Sequence, residues 1–127
     1  MNDTAVRAFD TGATLSTDRQ ERKDTPICTG VLDYFPDALA EVARVSKAGN
    51  DQHNPGQELH WARGKSTDHA DCILRHLIDR GKMDTDKVSH TAKVAWRALA
   101  LLQEELEQEK INQGMTKEQA AGRGSKF

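Results

Sequence analysis

The amino-acid sequence predicts an all-α fold: a small helical bundle of about three main helices behind an irregular N-terminal arm, completed by oligomerisation. Three observations carry this. From Val88 to Leu106 apolar residues return every three or four positions, which puts them on one helical face. A second such segment opens at Pro36, whose ring suits a first helical turn. No stretch shows the sustained apolar/polar alternation of a half-buried strand.

Residues 1–30 form the arm. They are rich in Thr, Asp, Arg and Gly and have no clean period, and "RQERKD" reads as a solvated charge run from which Arg22 and Lys23 could reach an anion. Residues 31–109 form the helical domain. Its first helix runs from about Pro36 to Ala48, with Phe35 forced out of the helical region and Gly49-Asn50 as the stop. Phe35, Leu39, Val42, Val45 and Ser46 share one face, and Asp37, Glu41 and Arg44 lie on the other. Asn54-Pro55-Gly56 is a turn, and the long connection around it holds His53, His60 and Trp61, a length that suggests function. The second helix starts at Ser66 to Asp68, with acidic residues in its first turn, and ends at Gly81. "KMDTDK" reads as a short polar link. The third helix spans about Thr85 to Glu109, and a second apolar set (Val94, Ala98, Leu101) widens its stripe enough for more than one neighbour. Three glycines make residues 110–127 a flexible tail.

The 127 residues fit one domain. A charged content of 30% against 36% hydrophobic points to a small core, shared in a homo-oligomer. A net charge of -2 gives no global basic field, so no nucleic-acid polymer is expected as a partner. Cys28 and Cys72 lack metal spacing and suit a reducing compartment. No apolar run approaches the ~20 residues of a membrane span, and "MNDTAVRAFD" lacks the apolar stretch of a secretory leader. The expected location is the cytoplasm, with no membrane partner.

The chemistry concentrates on the second and third helices. On the second, Ala70, Ile73, Leu74, Leu77 and Ile78 gather on one side, and Asp68, Cys72, Arg75 and Asp79 lie opposite. His69 and His76 share one boundary of that face and Asp71 the other. Boundary positions are half buried, so polar groups there need partners. Seven residues is a poor two-point metal bite on one helix, so any ion would need ligands from another. The third helix lines up His90, Lys93 and Arg97, a row suited to polyphosphate and equally to a solvated face. Lys65 in "RGKS" precedes a helix N-terminus, where backbone amides favour phosphate. The candidates are therefore His76, Asp71 and His90 for catalysis; Lys65, Arg75, Lys93, Arg97 and Trp61 for phosphate and base; and Glu41, Asp68 and Asp71 for Mg²⁺ or Mn²⁺.

Three blocks in order, "LDYFPDALAEVARVSKAGN", "HWARGKSTDHADCILRHLIDRG" and "DTDKVSHTAKVAWRALALLQEELE", resemble a phage-associated family, the dATP/dGTP diphosphohydrolase N-terminal domain. The family's Arg-His-Leu core matches Arg75-His76-Leu77. Its following His and Trp-Arg-Ala-Leu segment match His90 and Trp96 to Leu99. The resemblance covers roughly residues 30–107, with a weaker "TGAT" signal near the start. It implies release of pyrophosphate from deoxynucleoside triphosphates in phage nucleotide metabolism, in the cytoplasm of an infected cell, as in MazG-like all-α pyrophosphohydrolases. Those enzymes hold Mg²⁺ with a Glu-Glu-x-x-Glu motif, which this chain lacks. The alternative is a non-catalytic phage protein that binds or sequesters a nucleotide, including a signalling nucleotide.

Overall fold

Capping and turn chemistry decide where each helix begins. The computed structural model describes residues 15–122 and 125–126; the "TGAT" block and the rest of the arm before Leu15 lie outside them. Helix α1, Arg19–Lys23, is set by Asp18, whose carboxylate accepts from the Glu21 N–H at 2.9 Å. The charge run is therefore a capped, exposed helix inside the arm. A single π-type turn, Cys28–Leu32, follows.

Helix α2, Pro36–His53, opens on Pro36 as the sequence predicts but passes through Gly49 and Asn50. The reason is Asn50, which is buried and stitches the returning chain to the helix. Its amide donates to the Gln57 carbonyl at 3.0 Å, and its oxygen accepts from the Asn54 side chain and the His60 N–H, both at 3.4 Å. These bonds offset the roughly 1 kcal/mol that a helical glycine costs. The chain reverses at Asn54-Pro55-Gly56, with Gly56 at a φ of 75°.

A two-residue strand β1, Trp61–Ala62, pairs in parallel with β2, Ser125–Lys126. Helix α3, His69–Ile78, and helix α4, His90–Asn112, form the main pair. They run antiparallel: His76 meets His90 at one end and His69 meets Arg97 two turns along. Helix α4 starts five residues later than its periodicity predicts. Asp84 accepts from the Thr85 N–H at 2.6 Å and Asp86 from the Val88 N–H at 3.2 Å, so "DTDK" closes into a tight loop. Ser89 then caps the helix through the Ala92 N–H.

Helix α5, Lys117–Ala121, lies in the segment whose glycines suggest a flexible tail. Thr116 and Gln119 form a reciprocal capping box, and Ala120 and Ala121 are buried. The small core also holds Cys72, Val88, Ala92 and Ala100, and no large side chain is fully buried among the described residues.

The face that α3 buries differs from the one its apolar residues mark. His69 and Cys72 are buried against α4, while Leu74, Leu77 and Ile78 are 60%, 41% and 76% exposed. Arg63 and Glu107 lock the loop after β1 onto α4 through two parallel hydrogen bonds of 2.7 and 3.0 Å.

Candidate functional site

The α3–α4 pair, the end of α2 and the loop through β1 enclose a cleft of about 940 Å³. Its cations are Lys65, Lys93 and Arg97, and His69 and His76 also face it. Trp61 and Trp96 meet edge to face, 5.8 Å between ring centres, and form its wall. The Trp96 ring is held by a 2.7 Å bond from Nε1 to Ser46 Oγ on α2. Behind the tryptophans lies a larger, more apolar groove of about 1140 Å³ between α2, α4 and α5. We place the site in the smaller cleft, because the cations, the histidines and a carboxylate cluster converge there.

Arg97 supplies the fixed charge. It donates to Ser66 Oγ at 2.6 Å and to His69 Nδ1 at 3.1 Å. A guanidinium only donates, so Nδ1 of His69 accepts and its proton sits on Nε2. That nitrogen faces Glu104 Oε2 at 3.3 Å without hydrogen-bond alignment. Lys65 forms no side-chain hydrogen bond or ion pair among the described residues, so its ammonium is available to a ligand.

At the α3–α4 end, His76, Asp84 and His90 offer donor atoms within 4.8 Å of one another, the one group of three that could hold a metal among the described residues. His76 Nδ1 lies 2.9 Å from His90 Nδ1, and His90 Nδ1 lies 3.8 Å from Asp84 Oδ2. Two nitrogens each ~2.05 Å from one ion stand about 2.9 Å apart at a right angle and about 3.3 Å apart in a tetrahedron. The histidine separation therefore fits a shared ion. Burial, reinforced by His90 and Lys93, holds His76 below its ordinary pKa and keeps it neutral, as a ligand must be. Lys93 donates to Asp84 Oδ2 at 2.7 Å and to Asp86 Oδ2 at 2.8 Å. Its ammonium and the Thr85 N–H hold Asp84 down to about 2, and the same ammonium lowers Asp86. Burial pulls the Lys93 pKa down, but the two carboxylates outweigh it and keep it above its ordinary value.

Of the residues singled out in the sequence, Trp61, Lys65, Asp68, His76, Lys93 and Arg97 meet at the cleft, and His90 stands directly behind His76. Three others do not. Arg75 is turned outward, its side chain 61% exposed, and pairs with Asp68 at 3.2 Å. Asp71 is exposed on α3. Glu41 pairs with Arg44 at 3.3 Å on the surface of α2. Glu41, Asp68 and Asp71 thus form no ligand group. Asp68 is engaged by Ser66 and Arg75, which hold it down to about 2. The carboxylate that stands beside the two histidines is instead Asp84, in the stretch that reads as a polar link. Its signal was an Asp-x-Asp just ahead of His90.

The family model described as dATP/dGTP diphosphohydrolase, N-terminal, matches residues 16–114. No curated protein and no solved structure matches the chain.

Proposed function

We propose that this chain, which belongs to the dATP/dGTP diphosphohydrolase N-terminal family, hydrolyses a (deoxy)nucleoside triphosphate to its monophosphate and pyrophosphate. Purine deoxynucleotides are the substrates that the family name points to. The carrying observation is the cleft in which three cations, a tryptophan wall and a His-Asp-His cluster adjoin. Lys65 and Arg97 would offset the triphosphate charge, and Trp61 would pack on the base. His76, Asp84 and His90 would hold a divalent ion. Two imidazoles and one carboxylate suit Mn²⁺ or another first-row ion better than Mg²⁺, which prefers oxygen. Such an ion supplies charge to the phosphate oxygens and lowers the pKa of water. Water adds to the α-phosphorus, the bond to the bridging oxygen breaks, pyrophosphate leaves, and a proton passes to solvent.

The same setting, phage nucleotide metabolism in a host cytoplasm, belongs to this proposal. So does self-association. Its support is the exposed side of α3 with Leu74, Leu77 and Ile78, and the half-exposed Leu99, Leu102 and Leu106 of α4. A clean monomer in light scattering would remove that part.

The test is incubation of the purified chain with each nucleoside triphosphate and its deoxy form, with Mn²⁺ or Mg²⁺, followed by chromatography. Deoxynucleoside monophosphate and pyrophosphate in equal amounts are expected. An intact nucleotide that binds in calorimetry would leave a sequestering protein, and no binding at all would overturn both.

A further inference from the structure

One cation, Lys93, joins the cleft to the His-Asp-His cluster. His90 and Lys93 stand three residues apart on α4 and so point the same way. The Lys93 ammonium lies 2.7 Å from Asp84 Oδ2, the same oxygen that approaches His90. It also lies 2.8 Å from Asp86 Oδ2. Lys93 and Asp86 both line the cleft, as does His76. The Lys93 side chain is 17% exposed, at the boundary between the carboxylates and the open volume.

A divalent ion bound by His76, His90 and Asp84 would have to share that oxygen with an ammonium. Like charges repel at such range. The lysine stem has rotatable bonds, and its ammonium is a point charge that can be re-aimed without moving the helix. Arg97, one turn further along α4, lacks that freedom because Ser66 and His69 hold it.

We propose that Lys93 is an exchange cation: in the metal-free chain its ammonium takes the place of a divalent ion on Asp84, and metal binding drives it into the cleft, where it meets the phosphates of the ligand. This rests on the metal reading given above and adds to it. Metal occupancy and polyphosphate binding are then coupled through one side chain, and by linkage each strengthens the other. Asp86, still beside the ammonium, keeps the displaced lysine near the cleft mouth.

Two readouts test it without turnover. The first is calorimetry with Mn²⁺ alone on wild type, Lys93→Met and His90→Ala. Lys93→Met removes the competing charge and should bind Mn²⁺ about tenfold more tightly, in the range by which neighbours of metal ligands tune affinity. The second compares the wild-type chain with His90→Ala and leaves Lys93 itself unchanged. Amine acetylation is read residue by residue by mass spectrometry, with exposed Lys47 and Lys82 as internal standards. Mn²⁺ should raise the labelling of Lys93 severalfold against those standards, and His90→Ala should abolish the rise. Wild-type Mn²⁺ binding with no tightening in Lys93→Met and no change in Lys93 labelling would overturn the exchange and leave the metal site standing. No Mn²⁺ binding by either protein would overturn both.

Discussion

Arg97 donates to Nδ1 of the buried His69 at 3.1 Å, and that contact fixes on which nitrogen the imidazole carries its proton. The same guanidinium nitrogen reaches Ser66 Oγ at 2.6 Å, so helix α4 holds the start of α3 through one side chain. Arg97 also lines the cleft. Arg97→Ala should therefore raise the KM for a nucleoside triphosphate by about tenfold to a hundredfold, the worth of a charge-assisted contact. Arg97→Lys keeps the charge but loses the fork, and should recover only part of the loss. Steady-state kinetics on the two variants decides this, and an unchanged KM in Arg97→Ala would remove the residue from the phosphate site.

The His-Asp-His cluster predicts a sharp division among variants. Asp84→Asn and His90→Ala should lose Mn²⁺ binding in calorimetry and lose turnover, with the helical circular dichroism unchanged. Glu41→Gln, Asp71→Asn and Arg75→Ala should keep both, because their side chains sit on the outer surface. Loss of turnover in Asp71→Asn with the fold intact would move the reacting centre to the other side of α3.

That division marks what the sequence carries and what it conceals. The helical class, the opening of α2 at Pro36 and the long α4 follow from periodicity and proline stereochemistry. The cationic row on α4 was legible as well, because residues 90, 93 and 97 share a helix face at any depth of burial. The face that α3 buries was not legible. Its apolar stripe marks one side, but the contacts of His69 with Arg97 and of His76 with His90 turn the other side to α4. The role of Asp84 depends on a chain reversal made by two Asp side chains bonding local N–H groups, and a helical period carried back through Thr85 hides it. The helix in the tail had a readable signal, Thr116 followed three residues later by Gln119.

The Arg63–Glu107 pair should be a stability determinant with no catalytic part. Both side chains are nearly buried, 10% and 7% exposed, and Gln103 adds a third bond at 2.7 Å. Glu107→Ala strands a guanidinium away from water, at a cost of about 3–5 kcal/mol. That is a large share of the roughly 5–15 kcal/mol a domain has. Urea unfolding should show a much lower midpoint with an unchanged slope. The double variant Arg63→Met with Glu107→Leu replaces the ion pair by packing and should regain most of the loss. If the single variant unfolds at the wild-type midpoint, the pair is not what ties the β1 loop to α4.

Stability should fall in two steps as the pH is lowered. Burial holds His76 below its ordinary value of 6.5, so the unfolded chain takes up a proton there before the folded chain does. The contribution from His76 is complete above pH 6.5 and declines below it. Asp84 is held down to about 2 from an ordinary 3.8 by Lys93, so its contribution persists above pH 4 and is lost as the pH falls toward 2. The Asp84 step is on the order of 1–2 kcal/mol once solvent screening of the partly exposed pair is discounted. Urea titrations at pH 7.5, 5.5 and 3 separate the two. His76→Gln should lose less stability than wild type between pH 7.5 and 5.5. Lys93→Met should lose less between pH 5.5 and 3, because Asp84 then titrates near its unfolded value. Equal losses in wild type and Lys93→Met over the acid interval would mean that the ammonium does not hold Asp84 in solution, and the contact at the heart of the cluster would have to be redrawn.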